Sequence, residues 1–207
     1  MNADPYERLR AAIVGGDLQP NERLVEADLT DKLGAGRTAV RTAFARLAQE
    51  GLIELAPNRG ARVREIGEEE AVQILEARAA LEALAARRAA EHATADDAAA
   101  LRRVLVEMRT KLDAGDLLGA SDHNARLHRA LLDIAGHAIV DRLVGTLNSQ
   151  LVRFQYRTIL VPGRAERSFA EHTAIVEAVA SGDPDAAETA MRCHLSAATE
   201  ALRESVS

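Results

Sequence analysis

The chain has 207 residues and a formal net charge of −6, with 47% hydrophobic, 2% aromatic and 28% charged residues. Its length allows one large or two modest domains, and an apolar content made mostly of Ala, Leu, Val and Ile predicts a mainly helical fold. A lone cysteine, Cys193, excludes an intramolecular disulfide framework, and no apolar run approaches the ~20 residues of a membrane-spanning helix. The N-terminus MNADPYERLR has no signal-peptide core either, so the chain reads as soluble and cytoplasmic.

In chain order, YERLRAAIVGG sets Tyr6, Leu9 and Ile13 on one helical stripe, which Gly15 and Gly16 end. The loop DLQPNE follows, then a short helix, ADLTDKLG, that buries Leu29 and Leu33 and stops at Gly34. Past the turn Gly34-Ala35-Gly36, Val40, Phe44 and Leu47 recur at helical spacing up to Gly51. LIEL and ARVR then alternate as two strands of a hairpin, joined through Pro57, Asn58 and Gly60. Three helices with a tight second turn, followed by a hairpin, make a winged helix-turn-helix.

The charge pattern agrees with a polyanionic partner. Within residues 36–64 six arginines stand against only Glu50 and Glu54, a local surplus that the acidic whole-chain total conceals. In a helix-turn-helix the third helix enters the major groove by its N-terminal end. Arg37 opens that helix and Arg41 follows one turn later, both away from the Val40/Phe44/Leu47 face. Their guanidinium forks suit guanine edges or phosphate oxygens, and the Thr38 hydroxyl suits a phosphate. The small basic hairpin tip, Asn58-Arg59-Gly60, suits a minor groove.

Residues 6–63 resemble the DNA-binding domain of GntR-family transcription regulators. The resemblance implies operator contacts by Arg37 and Arg41 and a minor-groove role for the Arg59-Gly60 wing. Two positions depart from the family pattern: Gly36 stands where Ser is usual and Ala39 where Pro is usual. Ser caps a helix well and Pro suits its first turn, so a slightly weaker helix start is expected, with function retained.

The rest of the chain reads as six helices with short, antiparallel connections: GEEEAVQILEARAALEALAARRAAEHA, ADDAAALRRVLVEMRTKLDAG capped by Thr94, DLLGASDHNARLHRALLDIAG, HAIVDRLVGTLNSQLVRFQYRTIL, RAERSFAEHTAIVEAVASGD and PDAAETAMRCHLSAATEALRES. The expected organisation is a winged helix-turn-helix over 1–66 and an all-helical domain over 67–207, for a mainly α protein.

Of six histidines, three share a computable geometry. His172 lies nine residues before Ser181 and His194 ten after Pro184, on either side of one interhelical turn. At ~1.5 Å per residue both sit about 14 Å from that turn, hence at nearly equal depth. His128 stands on another helix, one turn after Asn124 on the same face. Three imidazoles and an oxygen form a common ligand set for zinc and similar divalent ions, although isolated buried histidines are more often hydrogen-bonded core residues. His92, His123 and His137 gain nothing from this geometry.

Residues 69–207 resemble the all-helical FCD effector domain of the FadR-like GntR subfamily, through EARAALEALAARRAA, NARLHRALLDIAGH, EHTAIVEAVASGD and AMRCHL. The resemblance implies a divalent metal held by His128, His172 and His194, with Asn124 where the family often has Asp. Zn2+ is the expected ion, with Ni2+ and Mn2+ also compatible. A neutral amide is a weaker ligand than a carboxylate, and Asp122, about 200° round the helix, cannot replace it. The expected effector is a small organic acid. Arg78 matches a family position that can reach the cavity, against a plain i,i+4 pairing with Glu82; Arg153 is a second candidate.

The reading is a homodimeric, effector-controlled transcription regulator, a repressor rather than an activator, bound to a palindromic double-stranded operator. The competing readings are a metal-dependent hydrolase on the same histidines and a helical interaction protein. The hydrolase reading lacks an identifiable Asp or Glu base beside the ligands, and Cys193 and His194, adjacent in sequence, point in different directions on a helix.

Overall fold

The structure, a computed structural model, describes residues 4–56, 60–151, 154 and 158–205. Two compact units emerge. One runs to Gly67 and takes in Asn148–Gln150; the other comprises Glu68–Leu147 and Leu151 onward.

In the first unit, α1 (Pro5–Val14) begins with Asp4 accepting a hydrogen bond from the Tyr6 amide and with proline at a first-turn position that has no amide partner to lose. Helix α2 (Glu26–Leu33) ends at Gly34, whose left-handed φ of 62° an L side chain resists. Helix α3 (Arg37–Gln49) turns Val40, Ala43, Phe44 and Leu47 into a core shared with Tyr6, Leu9, Leu29 and Leu33.

The hairpin is observed as β2 (Ile53–Ala56) and β3 (Gly60–Val63), paired antiparallel with Ile53 opposite Val63 and Ala56 opposite Gly60. A two-residue strand that the sequence pattern does not mark, β1 (Arg23–Leu24), lies on the other side of β3, giving the order β1-β3-β2. Two residues are too few for alternation to show. Arg23, exposed, pairs with Arg62, and Leu24, buried, with Ala61. Pro57, Asn58 and Arg59, at the expected wing tip, lie outside the described residues.

The second unit is helical: α4 (Glu68–His92), α5 (Ala95–Asp113), α6 (Leu117–Ala135), α7 (Ala138–Gln150, of which Asn148–Gln150 count with the first unit), α8 (Arg164–Ala180) and α9 (Pro184–Glu204). Thr94 and Asp97 form a capping box at the start of α5, each side chain bonded to the other's backbone. Helix α4 packs most extensively against α9, and also against α6 and α8. Its buried residues are mainly alanines (Ala71, Ala83, Ala85, Ala86, Ala89 and Ala90), small enough for neighbouring backbones to approach closely. The helix that the sequence pattern carries from His137 to Leu160 stops at Gln150; Leu151 and Phe154 are buried, the Leu151 carbonyl accepts from the Phe154 amide, and Phe154, Thr158 and Ile159 are again helical. Among the described residues no helix is long and apolar enough to cross a membrane.

Candidate functional site

On α3 the side chains of Arg37, Thr38 and Arg41 are exposed, while Val40 and Ala43 beside them are buried. The Arg41 side chain is 75% exposed and only loosely paired, its Nε 3.9 Å from Glu26 Oε1 on α2. The third arginine of the helix does other work. Arg46 stacks on the Tyr6 ring, 3.5 Å from its centroid, and pairs with Asp4 at 3.1 Å. Tyr6 donates its hydroxyl hydrogen bond to Glu50, which also receives Arg10 Nε at 3.2 Å. Arg46 and Glu50 therefore fasten α3 to α1 and leave Arg37 and Arg41 extended at the leading end.

Gly60 closes the wing for a steric reason. Its φ is +84°, and a Cβ there would lie 2.6 Å from the Leu24 carbonyl oxygen, a backbone atom that cannot swing aside. The Asn58 and Arg59 side chains, expected beside it, lie outside the described residues, as does Arg153.

In the helical unit, three helices bring the predicted histidines together. His128 on α6, His172 on α8 and His194 on α9 are buried, with ring centroids 4.2 to 5.5 Å apart. One nitrogen of each lies within 4.8 Å of the others. His123 is instead held by Glu107 and Arg126, His92 is exposed, and the His137 Nδ1 accepts from the Val140 amide at the start of α7.

The outer nitrogens have partners. His128 Nδ1 donates to Glu82, and Glu82 Oε1 accepts from Arg78 Nε at 2.7 Å. His194 Nδ1 donates to Glu171 Oε2 at 2.8 Å, and both carboxylate oxygens of Glu171 are gripped by Arg164, at 3.0 and 2.8 Å. Two arginine–carboxylate–histidine relays thus converge on one point. His172 Nδ1 meets the Ser168 hydroxyl at 3.4 Å. A Nδ1–H donated to a carboxylate fixes the tautomer, leaving the Nε2 lone pair to face inward. His128 Nε2 and His172 Nε2 accordingly approach to 3.4 Å.

Burial above all pushes the His172 and His194 imidazoles well below the usual histidine range, helped by neighbouring histidines and by Arg164. Both imidazoles are neutral at neutral pH. Burial works to raise the Glu82 carboxyl, but Arg78 and His128 outweigh it and hold the group well below the ordinary carboxylate range. For Glu171 burial wins over Arg164, and the group is pushed up.

One further atom bears on the chemistry. Asn124 Oδ1, one turn before His128 on α6, is buried and has no hydrogen-bond partner among the described residues. A buried carbonyl oxygen without a partner is a poor arrangement for protein alone, and with the three histidine nitrogens it makes up the donor types that a cation takes. The donor set therefore fits a divalent ion. Asp122 is exposed, consistent with its rotation away from this face. Arg78 is largely buried and donates its Nε to Glu82, so the i,i+4 pair is formed.

Glu82, Glu171 and Arg164 were not legible as site residues, and carboxylates that the sequence did not identify beside the histidines are found there. There are two, because α4 and α8 place them on buried faces. The available signals were a glutamate on the alanine-lined face of α4 and an arginine two turns before Glu171. Each carboxylate is committed to an arginine and to a histidine Nδ1, on the far side of the ring from the convergence point.

Comparison with known proteins accounts for both halves. Residues 4–63 match the model for bacterial regulatory proteins of the gntR family, and residues 73–197 match the FCD domain. The chain is 28% identical over 204 residues to the HTH-type transcriptional repressor RspR of Escherichia coli, covering 99% of this chain and 90% of that one. It is 29% identical over 212 residues to the HTH-type transcriptional regulator LutR of Bacillus subtilis, covering 92% and 95%. Escherichia coli McbR/YncC shares the fold, with a TM-score of 0.78 at 21% identity over 98% of this chain and 97% of that one. The hydrolase reading finds no support among these relatives, and the chain belongs to the GntR family of transcription regulators, in the group that carries an FCD domain.

Proposed function

We propose that this regulator is a metal-containing repressor whose grip on a palindromic operator is set by a small carboxylate effector bound in the helical unit. The carrying observation is the convergence of His128, His172 and His194 beside the unpartnered Asn124 oxygen. These four residues would hold the ion, and Zn2+ suits three imidazoles and an oxygen, with Ni2+ and Mn2+ alternatives. When bound, the ion offers open positions to an anionic group. Arg78 and Arg153 are the cations assigned to the effector's carboxylate.

At the other end, Arg37, Thr38 and Arg41 would meet the major groove and Asn58, Arg59 and Gly60 the minor groove, in a homodimer whose two-fold axis matches two half-sites. Residues 1–66 carry operator recognition, and residues 67–207 effector binding and dimerisation. Helix α4 follows strand β3 after a short connection and carries Arg78 and Glu82, so it joins effector site to wing by covalent continuity. An effector alters DNA binding only by favouring one of two arrangements, and α4 is the element proposed to differ between them.

The test combines elemental analysis of the purified protein with operator titrations in the presence and absence of small carboxylates. Metal at one equivalent per chain and a carboxylate-dependent change in operator affinity are expected. Replacing both Arg37 and Arg41 by Ala should abolish operator shifts with the helical content unchanged; undiminished binding would defeat the recognition-helix assignment.

A further inference from the structure

The charges around the three imidazoles cancel. Glu82 and Glu171 are matched by Arg78 and Arg164, and Arg167 adds a further positive influence on Glu171. The groups that converge are imidazole nitrogens of His128, His172 and His194, and one turn before His128 on α6 stands the buried, unpartnered amide oxygen of Asn124. A divalent ion placed there would meet neutral donors inside a buried shell with no net negative charge. Burying an unbalanced charge is costly, and an anion on the ion's open positions is the simplest offset. With Asp at position 124 the protein itself would supply one negative charge; with Asn it supplies none.

Resting on the metal reading above, we propose that Asn124 makes the effector anion a required co-ligand, so that ion and carboxylate bind as a coupled pair. The regulator then responds to the coincidence of metal and organic acid, and neither alone fills the site. Linkage makes the effect reciprocal: the factor by which the anion tightens metal binding is the factor by which the metal tightens anion binding.

The experiment uses the full chain, stripped of metal and titrated with Zn2+ against a chromophoric chelator. The medium is perchlorate, or acetate, lactate or succinate at matched ionic strength, with free zinc corrected for each anion. Zinc affinity should rise about tenfold or more in at least one carboxylate, and calorimetry should find that carboxylate bound more tightly by the same factor when zinc is present. Asn124→Asp should bind zinc about tenfold or more tightly in perchlorate and show less dependence on the carboxylate. Asn124→Ala, which adds no charge, should weaken zinc binding yet keep the dependence.

The inference is overturned if native zinc affinity is the same in perchlorate and in every carboxylate. It is also overturned if folded Asn124→Asp gains no affinity in perchlorate, or if Asn124→Ala leaves zinc binding untouched. A native chain that retains no zinc in any medium defeats the metal reading itself, a different result from zinc bound without coupling.

Discussion

Gly36 shows how a single position can weaken an element without altering its function. It holds the N-cap geometry of α3, with φ −68° and ψ 152°, but offers no side-chain acceptor. Space around it is open, so Gly36→Ser should fit without displacement and bond the orphan amides of the first turn. A gain of a few tenths of a kcal/mol is expected, read as a small rise in the denaturation midpoint with operator affinity kept. Glu171 makes the opposite case. Glu171→Gln leaves shape nearly intact but takes the charge from the group that orients His194 and anchors buried Arg164. Losing such an outer partner typically costs about 10- to 100-fold in metal affinity, and zinc competition should show a loss of that order. The sequence exposed the three histidines because a shared turn sets their depth. It hid Glu82, Glu171 and Arg164 because rotation about a helix axis, and so which charged residue turns inward, depends on the neighbouring helices.

At the scale of elements, the wing and the α1–α3 fastening separate what local pattern can and cannot reveal. The three N-terminal helices and the hairpin follow from apolar spacing and glycine stops. The strand β1 does not, since its pairing with β3 is a long-range choice made by Leu24 and Ala61. That strand explains Gly60, which has to pass the Leu24 carbonyl at a distance no side chain permits. Gly60→Ala should therefore cost about 1–3 kcal/mol, from the left-handed backbone and from the displaced strand together. It should also weaken operator binding while Arg37 and Arg41 remain in place. An unchanged melting profile would count against this account of the wing. Tyr6 tells a similar story: its ring and hydroxyl join Arg46 and Glu50 on α3, a connection across 40 residues or more that no helical periodicity displays.

For the whole molecule, acid is the revealing perturbant. In the unfolded chain His172 and His194 gain protons as the pH falls through about 6.5, the ordinary histidine value. In the folded chain burial delays protonation of both to lower pH. The unfolded state then binds more protons, so folding stability falls as the pH drops below about 6.5, by up to about 1.4 kcal/mol per pH unit for each imidazole. Glu82 adds to the loss below about 4.5, where the unfolded carboxyl takes a proton that the folded one resists. Urea titrations of the metal-stripped protein at pH 7.5 and 5.5 should show this drop, and a stability flat across that interval would contradict it. Operator binding should obey a separate rule. Arg37, Arg41 and Arg59, as the arginines assigned to the duplex, would release counterions from phosphate, so affinity should fall steeply with salt even though the chain is acidic overall.

The paired relays behind His128 and His194 also have a kinetic consequence. With ring orientations and tautomers set beforehand by Glu82 and Glu171, capture needs little rearrangement of the protein, and arrival is governed by access alone. Differences in strength between occupants must then appear in how long each one stays. A sensor of the proposed kind would have its arrival step set by entry to the buried histidines and its discrimination set by the departure step.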